Sequence, residues 1–525
     1  ALSVRLGGSS IGEACRMPFP SFKRWLQGLA FPADEEEAAA RPLGEILHRV
    51  DHLTQLGLSY LHPGRAARTL SGGEIQRARL AQQLGSPLSG VLYVLDEPST
   101  GLHPRDHEKL LDILLKLRDA GNTLVVVEHD ARTILKADHV VDMGPGAGER
   151  GGRVVFSGPP QKLLDHEASL TARYVSGRER ASFSGKHASP FSRGALKLRG
   201  ARGRNLKSVS VDIPLGCFTC VTGVSGSGKS TLVLETLCRE LARRLQGSRT
   251  VPEPFDALEG AESIGRIIHV DQMPLGRTAR STPATYLGVF DAVRKIFAGL
   301  PEARARGYGA DRFSFNVKGG RCETCKGEGI RSMEMVFLPD ASVPCADCRG
   351  TRYADDTLEI VFKGLSIAGV LDSTVSGALA LFEHFPAVRR KLEVLEEVGL
   401  GYLRLGQPAP TLSGGEAQRV KLARELSQRS DGHVLYVLDE PTRGLHQDDV
   451  RKLLELLDRL LIKGHTVVMI EHRLDVIRSA HHVIDLGPEG GEGGGSVVAQ
   501  GPPEAIARSE RSHTGRWLRE AFGRD

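Results

Sequence analysis

Two stretches of this chain carry the same apolar run closed by two acids: VLYVLDE at Val91–Glu97 and again at Val434–Glu440. Such a run lacks the alternation of a half-exposed strand and predicts a parallel strand buried on both faces. TLVVVEH (Thr123–His129) and TVVMIEH (Thr466–His472) predict a second buried strand in each place, ending in a histidine. A further β-branched pair, Val221–Thr222, feeds a glycine-rich turn and then a helix-like run, TLVLETLCRELARRL. Buried parallel strands and helices together predict an α/β fold.

These blocks belong to an internal repeat. Residues 68–160 hold RTLSGGEIQRARLA, VLYVLDEPSTGLH, NTLVVVEHD and ADHVVDMGPGAG, and residues 410–503 hold PTLSGGEAQRVKLA, VLYVLDEPTRGLH, HTVVMIEHR and AHHVIDLGPEGG, in the same order. The pattern is a duplicated unit and not a short-period solenoid. A weaker echo precedes each copy, VRLGGSSIGE near the start and VFKGLSIAGV from Val361. Ahead of the second echo lies the glycine-rich turn with its strand; ahead of the first lies nothing, and the chain opens at Ala1 inside a strand-like LSVRL. The expectation is a fragment whose first half has lost its own copy of that turn. The polar stretch 179–194 reads as a linker between the halves.

At 525 residues the chain has room for about three or four domains. No apolar run approaches the roughly 18 residues of a membrane span, and no secretory signal is visible, so a cytoplasmic setting without membrane contact is expected. The net charge of +5 is permissive for nucleic acid without pointing to it. Eight cysteines in such a chain argue for metal binding over disulfides.

GVSGSGKS, Gly223–Ser230, fits the phosphate-binding P-loop G-x-x-x-x-G-K-[ST] in its required strand–loop–helix setting, which a chance Gly/Ser loop lacks. Gly223, Ser225, Gly226 and Gly228 let the backbone curl N–H groups around phosphate, and the helix opening at Thr231 adds its positive end. Lys229 reaches the β- and γ-phosphates and Ser230 offers a hydroxyl to Mg²⁺. Of the acid pairs, Asp96 and Asp439 suit Mg²⁺, while Glu97 and Glu440 suit activation of a water. Ser71 and Glu74, like Ser413 and Glu416, have capping-box spacing. The glycines between them, Gly72–Gly73 and Gly414–Gly415, leave a bare helix N-terminus, a second phosphate cradle. That cradle makes sense when two units face each other with ATP between them. A lone strand-end histidine is usually structural, but His129 and His472 recur at one place in both copies and are assigned as γ-phosphate contacts.

Cys322-x-x-Cys325 and Cys345-x-x-Cys348 stand at the spacing of a closed, four-thiolate structural Zn²⁺ site, each pair followed by a turn glycine. A redox pair is the rival, with nothing thioredoxin-like beside it. Cys217, Cys220, Cys15 and Cys238 read as buried small apolar residues. From Pro274 to Arg352 there are 13 Lys and Arg against 8 Asp and Glu, with Tyr308, Phe313, Phe315 and Tyr353 interleaved. Such a mixture suits nucleic acid. A solvated surface over core aromatics is the plainer alternative.

LSGGE, the DEP strand end and the strand-end histidine together resemble an ABC-type ATPase. VTGVSGSGKSTL, VDQMPLGRTARSTPATY, FSFNVKGGRCETCKGEG, FLPDASVPCADCRGTRY, VLYVLDEPSTGLHPRD and GPGAGERGG, spread from near residue 1 to about 505, resemble the UvrA family of bacterial excision repair. The resemblance implies two ABC-type halves, the first incomplete, with an inserted helical signature region bearing a four-cysteine zinc module. On that plan residues 1–67 end a first signature region, 68–178 form the C-terminal part of half I, and 179–194 are linker. Residues 195–250 open half II, 251–410 form its signature region with the zinc module at 311–352, and 411–525 complete it. It further implies that Gln272 is the Q-loop contact to Mg²⁺ and water. Gly223–Ser230, Gln272, Asp439, Glu440 and His472 then form one composite site with Ser71, Gly72 and Gly73. Asp96, Glu97, His129 and Ser413–Gly415 belong to a second site lacking a P-loop. ATP, Mg²⁺ and Zn²⁺ are the implied cofactors. Damaged duplex DNA, a UvrB-like protein whose docking region is missing, and a second copy are the implied partners. Lys318, Arg321 and Arg331 are the candidate phosphate contacts. A paralogue protecting DNA from intercalating drugs, a transporter ATPase subunit and a structural chromosome ATPase are the alternatives, the last needing long heptads that are missing.

Overall fold

The computed structural model describes residues 3–70, 72–84, 89–146, 148, 151–181, 183, 189–271, 273, 275–276, 278–333, 341–428 and 432–523. Half I begins with a hairpin, β1 (Arg5–Leu6) and β2 (Ser9–Ser10), which runs into α1 (Ile11–Ala14). The first repeat then holds α2 (Gly72–Leu84), β3 (Leu92–Asp96), α3 (Pro104–Asp119), β4 (Thr123–Val127), β5 (Val140–Gly144), β6 (Arg153–Gly158) and α4 (Leu170–Val175). Half II opens with β7 (Ala195–Ala201) and β8 (Val209–Pro214), then β9 (Phe218–Gly223), which carries the P-loop. Beyond a π-helical turn, Thr231–Cys238, come α5 (Arg239–Gln246), β10 (Ala257–Glu259) and β11 (Arg266–Val270). The inserted region contributes two hairpins, β12 (Ile330–Met333) with β13 (Ala341–Pro344) and β14 (Val361–Phe362) with β15 (Leu365–Ser366), and α6 (Ile367–Asp372). The second repeat then follows as α7 (Gly414–Ser427), β16 (Val434–Asp439), α8 (Gln447–Ile462), β17 (Thr466–Ile470), β18 (His482–Gly487), β19 (Ser496–Gly501) and α9 (His513–Phe522).

The apolar runs lie in the buried middle of a six-stranded sheet in half II, ordered β11-β16-β17-β9-β18-β19. Side chains on β16 alternate between two cores. Val434, Tyr436 and Leu438 face the inserted helical region, and Leu435 and Val437 face the β7–β8–β10 sheet and the P-loop helix. At roughly 25 cal/mol per Å² of apolar surface, this two-sided burial is what holds the strand that ends in Asp439 and Glu440. The weak echo seen in sequence is a repeated structure as well, since β1–β2–α1 and β14–β15–α6 have the same hairpin-to-helix form.

Half I has the same elements but an open sheet. Among the described residues β3 pairs only with β4, and β5 only with β6. In half II the strand between the equivalents of β4 and β5 is β9. Among the described residues nothing fills that place in half I or covers the face beneath it. Leu92, Val94, Val125 and Val127 are therefore 49–68% exposed, against 0–1% for their counterparts Leu435, Val437, Val468 and Ile470. The expected linker is not free of the body. Ala181 is buried, and Phe183 packs on Phe218, so this part of 179–194 belongs to the half II core.

Candidate functional site

β9 ends at Gly223, where φ is +132° and a β-carbon would lie 2.0 Å from the Leu486 carbonyl oxygen. Gly226 (φ +75°) and Gly228 (φ +104°) continue the curl in conformations that other residues resist. Lys229 is 7% exposed and donates from Nζ to the carbonyl oxygens of Gly223 and Val224, each at 3.0 Å. Burial lowers its pKa, while Glu440, Asp106, Asp439 and Asp485 oppose the shift. Ser225 is half-buried, Ser230 exposed, and Thr231 buried at the head of the π-helical turn, whose carbonyl accepts from Thr236 Oγ1 at 2.7 Å. Positive-φ glycines, a lysine curled over the loop and a helix behind it fit a nucleotide phosphate.

β16 delivers the acids. Burial and the adjacent Glu440 push the Asp439 carboxyl up to about 7, so the pocket favours a cation beside it. Glu440 follows at φ +46° and its counterpart Glu97 at φ +43°. A left-handed glutamate is uncommon, and finding one at the same place in both copies marks a functional turn. His472 Nε2 lies 3.7 Å from Glu440 Oε1, and His129 Nε2 lies 3.6 Å from Glu97 Oε1. Burial, followed by the Lys229 charge, holds His472 neutral. The residues before the histidines, missed in the sequence, orient both turns. Glu471 accepts from the backbone N–H groups of Thr442, His472 and Arg473, and Glu128 accepts from those of Ser99, His129 and Asp130.

Half I meets this site across the interface. A β-carbon on Gly101 would lie 2.9 Å from Glu440 Oε2, and one on Gly444 would lie 2.9 Å from Glu97 Oε2. The Tyr60 ring closes over the P-loop, 2.8 Å from where a Gly226 β-carbon would be, and its hydroxyl donates to Glu74 on α2. Tyr402 repeats the hydroxyl bond, with Glu416 at 2.7 Å, and lies against Gly148 as Tyr60 lies against the aligned Gly491. His103 and His472 sit 6.1 Å apart, His129 and His446 6.2 Å. A cleft of about 390 Å³ between the halves is lined by Glu97 and His129 on one side and Glu440, His472 and Arg443 on the other. The two repeats thus face each other head to tail.

Of the proposed cradle residues, Gly72 and Gly73 open α2, the helix that Tyr60 ties to the P-loop. Ser413 caps α7, accepting from the Glu416 N–H at 3.2 Å, while Gly414 is exposed and Gly415 is packed under Arg443. Asp96 ends β3. Ser71 and Gln272 lie outside the described residues. Tyr60 was legible only as an echo: it and Tyr402 each stand 14 residues before the capping glutamate.

The four thiols of Cys322, Cys325, Cys345 and Cys348 lie within 4.8 Å of one another, with Sγ–Sγ distances of 4.0 Å (Cys322–Cys345) and 3.7 Å (Cys325–Cys348). Tetrahedral Zn–S bonds of about 2.3 Å need sulfurs about 3.8 Å apart, so the set fits zinc. Each knuckle turns through a left-handed pair, Lys326–Gly327 and Arg349–Gly350. Cys217, Cys220 and Cys238 are buried apart from this group, but Cys15 is only half-buried, contrary to expectation. The aromatic reading also needs correction. Phe313, Phe315 and Tyr353 are 0–1% exposed and form the core under the module, and Tyr308 is covered by Arg312. Lys318 and Arg331 are exposed, but Arg321 is only 11% exposed and is held by Glu323 and the Asn316 carbonyl. Its neighbours use its charge, which leaves two of the three proposed contacts open to solvent.

No family model matches the chain. UvrABC system protein A of Micrococcus luteus is 56% identical over 519 residues, covering 99% of this chain and 52% of that protein. The same protein of Brucella suis is 55% identical over 526 residues, covering 100% and 54%. The crystal structure of UvrA2 from Deinococcus radiodurans is similar with a TM-score of 0.93 at 47% identity, over 99% of this chain and 64% of that one. The chain spans about half the length of the curated relatives it matches. With repeated halves facing each other, a four-cysteine module in the inserted region and these relatives along its whole length, the chain resembles the UvrA proteins and has their ABC-type fold.

Proposed function

We propose that the chain binds ATP with Mg²⁺ between its halves, hydrolyses it at the site built on Gly223–Ser230, and uses that cycle to recognise damaged duplex DNA in excision repair. The observation that carries the reading is the reciprocal contact of Gly101 with Glu440 and Gly444 with Glu97, because it brings each half's post-strand turn to the other's general base. Bound Mg²⁺ would offset phosphate charge, held by Ser230 and Asp439, with Gln272, two residues past the end of β11, as the Q-loop residue. Lys229 binds phosphate oxygens. Glu440 takes the proton of an attacking water, and neutral His472 holds an N–H toward the same point. Ser71, Gly72 and Gly73 would close the nucleotide from the other side. Glu97, His129, Asp96 and Ser413–Gly415 would do the same work where a second P-loop is supplied.

The exposed Lys318 and Arg331 beside the zinc module are the proposed phosphate contacts. Identity is higher to the UvrABC proteins than to UvrA2, which favours repair over drug protection. A UvrB-like protein and a second copy of the chain are the expected protein partners, in the cytoplasm. Lys229→Ala should cut ATP turnover by roughly 10²–10³-fold; wild-type turnover would refute the site. A gel shift that does not distinguish lesion-bearing from intact duplex at any salt concentration would refute the recognition role.

A further inference from the structure

The two halves are joined by a second pair of contacts, built from residues that the hydrolytic scheme does not use. In half II, Asp485 on β18 lies directly beside Thr222 of the P-loop strand. It accepts hydrogen bonds from Ser512 Oγ at 2.5 Å and Thr514 Oγ1 at 2.9 Å. Thr514 in turn lies 3.1 Å from Nε2 of His103, which belongs to half I. Half I repeats this with the same spacings: Asp142 accepts from Ser169 at 2.6 Å and Thr171 at 2.7 Å, and Thr171 lies 3.3 Å from Nε2 of His446 in half II. In both copies the serine and threonine follow the aspartate by 27 and 29 residues.

The protons can be assigned. A threonine hydroxyl has one proton, and here it goes to the aspartate, so its oxygen must accept from the histidine Nε2–H. The other ring nitrogen, Nδ1, accepts the backbone N–H of Arg105 in one copy and Asp448 in the other, both at 3.2 Å. Each histidine is therefore neutral and in the Nε2–H form. The full burial of His103, close to Lys229, agrees with this. His103 caps α3 and stands two residues beyond Gly101, which abuts Glu440.

We propose that Thr514 is a positioning residue: it anchors His103, and through it the Ser99–His103 turn of half I, to the strand beside the half II P-loop, so that Gly101 is set against Glu440. Thr171 and His446 form the matching latch for the Glu97 side. The inference rests on the proposed ATP site and deepens it, because it makes the position of the general base depend on a contact between halves.

The test is steady-state ATP hydrolysis by the 525-residue chain carrying Thr514→Val, Thr514→Ser, His103→Phe, the Thr514→Val/His103→Phe pair, and Lys229→Ala. Thr514→Val and His103→Phe should each lower kcat by about tenfold with KM for ATP held within about twofold. Thr514→Ser, which keeps the hydroxyl, should restore kcat, and the double variant should be no slower than the worse single one. Wild-type kcat in Thr514→Val, or losses that multiply in the double variant, would overturn the latch. If Thr514→Val does not fold, His103→Phe decides alone, since it leaves the Thr514–Asp485 bond in place. Wild-type turnover by Lys229→Ala would instead show that the composite site itself is misassigned.

Discussion

Replacing Gly101 with alanine tests the contact between halves by adding a single carbon. The new β-carbon would stand 2.9 Å from Glu440 Oε2, where ordinary contact begins at 3.4 Å, so the carboxylate must withdraw by about 0.5 Å. The end of a glutamate side chain can move that far at little cost to the fold. The stability penalty is then mainly that of alanine at φ +70°, about 1–2 kcal/mol. Gly247 provides the control. It sits at φ +67° with nothing within 4 Å of its β-carbon position, so Gly247→Ala carries the same backbone cost and touches no catalytic group. Denaturant unfolding should find the two variants about equally destabilised. Steady-state hydrolysis should find Gly101→Ala slower in kcat by roughly tenfold, with KM for ATP nearly unchanged because the P-loop is untouched. Gly247→Ala should hydrolyse at the wild-type rate. If Gly101→Ala also did so while showing the expected loss of stability, the placement of half I against the half II general base would be wrong.

Gly444→Ala displaces Glu97 in the same way, and should cost less turnover than Gly101→Ala because the sequence has a P-loop only on the Glu440 side. Tyr60→Phe keeps the ring over Gly226 and loses the bond to Glu74, whereas Tyr60→Ala loses both; the alanine variant should raise KM for ATP several-fold more than the phenylalanine variant, and equal KM values would contradict the cover. The purified chain should hold one zinc ion, worth on the order of 10 kcal/mol to the module. Removing it with a chelator should open residues 322–353 to protease, as mapped by mass spectrometry; a metal-free chain that resists cleavage would count against the site. Lys318→Gln and Arg331→Gln should each reduce the salt slope of duplex binding by about one unit, while Arg321→Gln, already paired in the fold, should leave the slope alone.

What could be read in the sequence was chemistry that a short segment completes by itself. A P-loop needs its glycines and lysine at fixed spacing, a zinc knuckle needs its cysteine pair and turn, and a strand needs its apolar run. None of these depends on where a distant segment lies. Burial does depend on it, and that is where the reading went astray. Arg321 stands in the sequence as a free cation, but Glu323, two residues on, takes its guanidinium. Phe313 and Phe315 alternate with polar neighbours as a binding strip would, yet they pack inward with Phe290 and Phe297. The facing of the halves was expected from the bare LSGGE helix ends, but the contacts that hold it were out of reach of any local pattern. Thr514 and His103 are 411 residues apart, and only their repetition as Thr171 and His446 gives a signal.

The same repetition shows where the two sites must differ. At the P-loop side, Arg105 Nη1 donates to Glu489 Oε1 at 2.7 Å and lies 3.0 Å from His513 Nε2, an ion pair across the halves next to the loop that packs on Ser225. The aligned residues on the other side are Asp448 for Arg105 and Gly146 for Glu489, so the pair cannot form there; Asp448 instead accepts from Tyr174 and Arg451. A duplicated interface with no difference in function has no reason to spend a charge pair on one side only. The half-exposed Glu489 makes this contact worth little to stability, about 1 kcal/mol at most. Its effect is geometric: it fixes the turn carrying Gly101 and His103 to the loop beside Gly226, at the one place where the sequence supplies a P-loop to be closed.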